Sequence, residues 1–291
     1  MKNFIALIKN KLSTYWLLTK SLQTGLLLST GVAGFMSARC PVIHWSTLFG
    51  LVISLFLAIA GSTIINMWFD RDIDALMKRT CNRPLPTGKI KPQEALQLGL
   101  FLSFSGVSLA FVMDPVYGAV VFTGIIVDVL IYTIWLKRRT AWSILWGGIS
   151  GGMPILAGRV LGLHQIDGVG ILLTLGILFW IPTHILTFNM RYFEDYQFAG
   201  IPTFPKRFGF RTTRLAIALS SIIAAGSIGI AGWLIGMQWG FLRILGVLSA
   251  GLFVLAIASI RKPSDHTNFG LFKYASLYML AAMLLLSIYI L

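Results

Sequence analysis

Apolar residues run along this chain in blocks of roughly 20, each long enough to cross a hydrocarbon core of about 30 Å as an α-helix. The blocks fall near 15–38, 46–69, 93–112, 116–136, 142–161, 168–190, 212–235, 239–260 and 271–291, with short connections. This pattern predicts an all-α polytopic membrane protein with nine transmembrane helices, residues 1–291 forming one domain. Gly147, Gly148, Pro154 and Pro182 fall inside blocks. They would punctuate a soluble helix, but neighbouring spans can satisfy the backbone they disturb, so they are not read as boundaries.

Composition agrees: 56% of the 291 residues are hydrophobic and 12% charged, too few to cover a water-soluble surface. Lys2, Lys9 and Lys11 lead into a first block long enough to stay in the membrane, so no cleavable signal peptide is expected. The net charge of +14 raises nucleic acid as a partner. Its distribution points to topology instead. With a cytoplasmic N-terminus, nine spans place every Lys and Arg at the inner face except Arg39, Arg159 and Arg243. The expectation is an integral protein of a prokaryotic cell membrane, with the N-terminus and the loops at 70–92 and 191–211 cytoplasmic and the C-terminus opposite. No nucleic-acid partner is expected. Cys40 and Cys81 then lie on opposite sides, which excludes a disulfide or a thiolate metal site between them.

The densest chemistry is NMWFDRDIDALMKRTCNRPLPTGKI, residues 66–90, at the inner end of the second block. Asn66, Asp70 and Asp74 are four apart and share a face on a continuing helix, whereas Asp72 points roughly 200° from Asp70. Oxygen ligands on one face suit magnesium, which keeps several waters and is usually shared between one or two carboxylates and substrate phosphates. Lys78, Arg79, Arg83 and Lys89 follow and can engage phosphate oxygens; Pro84, Pro86 and Gly88 shape the loop. A solvated juxtamembrane loop would explain the cations but not three acids beside a hydrophobic span.

A second polar loop, NMRYFEDYQFAGIPTFPKRFGFR at 189–211, follows the sixth block and carries Glu194, Asp195, Lys206, Arg207 and Arg211. Arg191 and Asp195 share a helix face. Both loops join an acidic helix end to a proline-containing turn and cations, four crossings apart. They read as two half-sites, a weak sign of duplication, able to close around one diphosphate and two magnesium ions.

With N-x-x-x-D-x-x-x-D at Asn66, Asp70 and Asp74 inside DRDIDALMKRT, and NRPLPTG at 82–88, the chain resembles the UbiA-type intramembrane prenyltransferases, and within them the heme-farnesylating branch. YTIWLKRRT at 132–140, WGGISGGMPILAG at 146–158 and PTHILTFNMRYFEDYQFAGIPTFP at 182–205 add to the likeness. Three positions depart from that branch: Lys20-Ser21-Leu22 for K-P-R, Pro182-Thr183-His184 for P-P-H, and Pro202-Thr203 for P-M. The resemblance implies a helical bundle around a central cavity open to the membrane, with farnesyl diphosphate and protoheme IX as substrates. It implies farnesyl transfer to a heme vinyl group with addition of water and release of pyrophosphate.

The roles expected are magnesium binding by Asn66, Asp70, Asp74 and Asp195, with Asp72 and Glu194 second, and diphosphate contacts from Lys78, Arg83, Lys137 and Arg191. Asp128, an acid within the fourth block, lies four residues before Tyr132; the two are expected to share an acceptor-facing surface, or Asp128 to make a polar contact between helices. His184 matches a position of the family and is expected to face the acceptor, at its propionate or iron, or else to hydrogen-bond inside the bundle. Arg159 is expected to pair with Asp167 or snorkel outward rather than act in catalysis. Two other functions fit parts of the pattern: prenyl transfer to a quinone precursor or other lipid acceptor, and transport, which leaves the paired acidic and basic loops unexplained.

Overall fold

The computed structural model describes residues 13–38 and 44–288, and every regular element among them is helical. The long helices are α1 (Ser21–Met36), α2 (Trp45–Phe69), α4 (Pro92–Met113), α5 (Pro115–Ile125, continued by a π-helix at Ile126–Leu136), α6 (Ser143–Leu163), α7 (Gly168–Arg191), α9 (Phe204–Ile235), α10 (Trp239–Arg261) and α11 (Asp265–Ile288). Two six-residue helices, α3 (Arg71–Leu76) and α8 (Phe193–Phe198), lie in the polar loops. Pro154 and Pro182 sit inside α6 and α7, as the membrane setting allows.

Eight helices among the described residues are long and apolar enough to cross a bilayer, not the nine expected. The difference lies in the first block. Its helix breaks at Thr19 and Lys20, with Lys20 in the left-handed region at φ 46. The uninterrupted piece, α1, has 16 residues, about 24 Å at 1.5 Å per residue, short of a full hydrocarbon core. Cys40 lies outside the described residues; Cys81 is a free thiol.

Consecutive long helices pack side by side, and α11 returns against α1, so the nine close into a ring. Without a hydrophobic drive between helices in lipid, such packing depends on small residues that let backbones approach. The contact of α1 with α6 shows this most sharply: a Cβ at Gly158 would overlap the Gly31 carbonyl oxygen, and one at Gly34 would overlap that of Ile155. At the end of the ring away from the polar loops, Arg159 makes the expected pair with Asp167, two bonds of 2.7 Å, and also donates to the Ser37 carbonyl at 2.6 Å.

Gly158→Ala should therefore force α1 from α6 and destabilise the protein by about 1–3 kcal/mol, as overpacking of a filled interior does. Gly226→Ala, with nothing within 4 Å of its would-be Cβ, should not. Thermal unfolding of the two purified variants in one detergent checks the contrast.

Candidate diphosphate and metal site

Both polar loops emerge at the same end of the ring and touch. Ile73 and Met77 of the first pack with Ile201, Tyr196 and Ala199 of the second. Arg79 reaches across to α7, its guanidinium 4.9 Å from the Phe188 ring centroid and 5.7 Å from that of Tyr192. The paired half-sites expected from sequence are thus adjacent, and each begins with a short helix after a long one.

Helical spacing sorts the three aspartates of the first loop as expected. Asp70 caps α2 while its backbone opens α3, and Asp74 follows one turn later; each residue is only 5% exposed. The side chain of Asp72, on the other face, is 61% exposed. Buried carboxylates need countercharges, and each receives one from a different part of the chain. Arg83, from the turn after α3, binds Asp74 at 2.7 Å. Lys137, just past the π-helix, binds Asp70. Arg138 lies 3.9 Å from Asp70, forks onto Asp72 at 2.7 and 2.8 Å, and donates to the Phe69 carbonyl. Asp70 Oδ1 is buried and accepts no hydrogen bond, a carboxylate oxygen with its lone pairs unused.

Burial works against the Lys137 charge, but Tyr132 and Asp70 outweigh it and hold its ammonium well above the usual lysine range. Lys20 sits in the same field with the opposite outcome. Desolvation, then Arg83 and Lys137, pull it down to about 8 against the attraction of Asp74 and Asp70. The Arg138 fork holds Asp72 below the usual carboxylate range. Lys20 and Arg138 were not singled out as site residues from sequence. The first stands at the break between two helical pieces, and the second adjoins the expected Lys137; only the folded chain shows them converging on the aspartates.

Asn66 faces inward from α2, one turn above Asp70. Its Nδ2 donates to Asp128 at 2.8 Å, and its Oδ1 accepts from Thr133 at 2.9 Å, leaving a second lone pair. Asp128 also accepts from Ser62 and, at 3.4 Å, from Ser150. It is therefore a polar junction among α2, the π-helix and α6. The π-helix explains a pairing that helical spacing does not suggest. Residues five apart would stand roughly 140° apart on an α-helix. Here Asp128 and Thr133 both reach Asn66, and the Lys137 ammonium lies 5.8 Å from the Tyr132 ring centroid.

The other expected residues are more scattered. Asp195, in α8, is half-buried and makes no ion pair among the described residues; Glu194 beside it is exposed. Its neighbour Tyr196 is close enough to Lys137 and Tyr132 to interact electrostatically with both, a link that sequence spacing gave no sign of. Lys78 is exposed, and Arg191 lies over the Phe269 ring at 3.8 Å rather than against an aspartate. His184 is stacked between Trp180 and Phe272, with ring centroids 5.0 and 4.4 Å away, and its Nδ1 lies 3.2 Å from the Ser276 hydroxyl.

Among the described residues, no three His, Cys, Asp or Glu side chains converge where one ion could bind them all. The donor set still fits magnesium. Asp70 and Asp74 are hard oxygen ligands, one with an unused buried oxygen, and magnesium commonly takes one or two carboxylates and completes its shell with phosphate oxygens and water.

A profile of the UbiA prenyltransferase family matches residues 27–287. A protoheme IX farnesyltransferase of Archaeoglobus fulgidus is 41% identical over 203 residues, 70% of this chain and 71% of the relative. Another, of Pyrobaculum neutrophilum, is 34% identical over 271 residues, 91% of this chain and 95% of the relative. Among solved structures, a digeranylgeranylglyceryl phosphate synthase superposes with a TM-score of 0.80 at 19% identity, covering 97% of this chain and 99% of that one. A UbiA homolog from Archaeoglobus fulgidus, bound to GPP and Mg2+, gives 0.69 at 16% identity, covering 94% and 100%. At these identities the structures establish the fold.

Manganese, a paramagnetic stand-in for magnesium, should bind the purified protein in the presence of pyrophosphate. Asp70→Asn and Asp74→Asn should each weaken that binding by about tenfold or more, since even outer-shell substitutions cost metal sites about that much. Asp72→Asn should leave it nearly unchanged. Titration by electron paramagnetic resonance reads all three.

Proposed function

The chain belongs to the UbiA prenyltransferase family, and from that premise we propose that it transfers a farnesyl group from farnesyl diphosphate to a vinyl group of protoheme IX, with addition of water. The observation that carries the acceptor is the agreement of near full-length relatives that are protoheme IX farnesyltransferases. The reaction balances as farnesyl diphosphate, protoheme and water giving the hydroxyethylfarnesyl heme, heme O, and pyrophosphate. The allylic C–O bond breaks with its electron pair leaving on pyrophosphate. The vinyl group bonds to the farnesyl carbon, and water captures the resulting cation and loses a proton.

Magnesium ions shared between substrate phosphates and the two loops, with Asn66, Asp70 and Asp74 as ligands on the first and Asp195 on the second, would neutralise diphosphate charge and make pyrophosphate a better leaving group. The chain's own cations do the rest of that work. Arg83 and Lys137 already stand beside the two buried aspartates and can share their hydrogen bonds with phosphate oxygens, Arg83 as a planar fork and Lys137 as a point charge. Lys78 and Arg191 stand at the rim of the same loops and are assigned to guiding the anion inward. The contact of Ile73 and Met77 with the second loop closes the two loops against each other at that end.

On the acceptor side, Asp128 and Tyr132 are assigned to the surface that orients protoheme. Asp128, fixed by Ser62, Asn66 and Ser150, couples that surface to the carboxylate site. His184 presents a ring edge between two aromatic faces, suited to meeting a planar macrocycle. The positive charge near both loops supports a cytoplasmic position for them, and the three long helices that follow the second loop then carry the C-terminal end to the opposite side.

Purified protein given farnesyl diphosphate, protoheme and magnesium should yield heme O, detected by mass, together with pyrophosphate. Prenylation of an aromatic quinone precursor but not of protoheme would overturn the acceptor. Within that assay Asp70→Asn or Asp74→Asn should lower kcat by about 100-fold or more, the scale of losing one preorganised stabiliser of transition-state charge. For orientation, a Cys40→Ser protein in inverted vesicles should react at Cys81 with an impermeant maleimide, and in right-side-out vesicles it should not.

A further inference from the structure

Three cations of the second polar loop, Lys206, Arg207 and Arg211, have no part in the site built around Asp70 and Asp74. They are exposed at the start of α9, and Arg214 follows them half-buried. None of the four forms an ion pair among the described residues, and Arg214 donates no hydrogen bond there, its buried Nε included. The sequence supplies no counterion along this stretch, since it has no Asp or Glu between Tyr196 and Ser264.

Two features place this patch where a membrane meets water. Gly209, at φ 79 and ψ 165, kinks α9 and parts a short first piece with Lys206 and Arg207 from the long piece with Arg211 and Arg214. Against the first piece packs Trp142, 50% exposed, its ring centroid 5.5 Å from those of Phe204 and Phe208. Tryptophan favours headgroup depth. Beyond the kink, Leu215, Leu219 and Ile222 follow Arg211 by four, eight and eleven residues, so they continue its face down the helix, and all three are exposed. Ile217, Ala224 and Ile228, on the other face, are buried. Arg211 thus stands at the head of an apolar stripe that faces lipid. Arg214, one turn on, borders that stripe, its guanidinium 5.8 Å from the Phe210 ring centroid.

We propose that Arg211 and Arg214 bind the headgroup of an anionic phospholipid whose acyl chain lies along Leu215, Leu219 and Ile222, with Lys206 and Arg207 adding attraction from the other side of the kink. Topology accounts for cations at this end of the ring. It requires only charge near the membrane face, not an arginine pair at the head of a lipid-facing stripe. Arginine holds phosphate oxygens through a planar fork of N–H donors, which suits it to a phosphodiester. The lack of acids decides between headgroups. Nothing in the patch would receive a choline or ethanolamine cation, whereas a net negative headgroup meets only positive charge. The stripe decides between a lipid and a free phosphate, because only a lipid gains from it. The site lies outside the transfer chemistry and does not depend on the acceptor.

The test counts bound lipid by native mass spectrometry, with the purified full-length protein in detergent titrated with phosphatidylglycerol or with phosphatidylcholine of the same chains. The wild type should bind its first phosphatidylglycerol at least about tenfold more tightly than phosphatidylcholine. Arg211→Gln should cut that preference about fivefold, the scale of one cation at a charged membrane surface. Arg211→Lys should keep part of it, and Arg211→Gln combined with Arg214→Gln should bring the two lipids level. Because Arg211 is exposed, its single substitution tests the site even where the double variant fails to fold. Arg243→Gln, which removes an exposed cation from the opposite end of the ring, should leave the preference intact. The inference is overturned if Arg211→Gln prefers phosphatidylglycerol as strongly as the wild type, or if Arg243→Gln lowers the preference as much. It is also overturned if magnesium pyrophosphate displaces the first phosphatidylglycerol, which would return these cations to the diphosphate site. Inorganic phosphate bound as tightly as phosphatidylglycerol, and equally lost in Arg211→Gln, would make this a phosphate site and remove the lipid.

Discussion

Two carboxylates buried at the edge of a membrane protein set the terms for everything around them. Left unpaired, Asp70 and Asp74 would carry a desolvation cost of several kcal/mol each or would give up their charge. The chain pairs them by drawing one cation from the turn that follows α3 and another from the end of a helix two crossings away. That long-range pairing ties the first polar loop to the π-helix. The π-helix in turn is tied through Thr133, Asp128 and Asn66 back to α2. The site is thus held by charge where the backbone alone would be a flexible loop. The same cations are those an anionic substrate needs.

Much of this was legible before folding was considered. The apolar blocks marked the long helices, and the four-residue spacing of Asn66, Asp70 and Asp74 separated the buried face from exposed Asp72, because that argument needs only local helix geometry. That the two loops share an end was also readable, since four crossings separate them. What escaped depended on tertiary placement or on departures from the α-helix. No rule of spacing brings Lys20 toward residues fifty positions later, or Tyr196 toward Lys137. An α-helical wheel sets Asp128 beside Tyr132 but gives no sign of Thr133, which the five-residue hydrogen-bond pattern of the backbone there brings to Asn66 together with Asp128. Arg191 has the charge for a phosphate contact, yet the nearby Phe269 face claims it. The shortened first span followed from Lys20, a single charge outnumbered by the apolar residues on both sides of it.

The two ends of the ring use their polar groups differently. At the loop end, cations and carboxylates sit in pairs that a diphosphate and metal can rearrange. At the other end Arg159 is saturated by Asp167 and Ser37, a closed arrangement that fastens α6 to α7 and to the end of α1.

The eleven-residue π-helix at Ile126–Leu136 bears on how such a sequence can change over evolutionary time. Most membrane helices absorb substitutions readily, since one apolar side chain serves nearly as well as another. A π-helix differs from an α-helix by the count of residues it accommodates per turn. Loss of a single residue anywhere in this stretch would return the segment to ordinary winding and rotate Lys137 away from Asp70, even with every functional side chain still encoded. The number of residues before Lys137, and not only their identity, sets the pair with Asp70, and a shortened variant would need a compensating insertion before Lys137 to recover it.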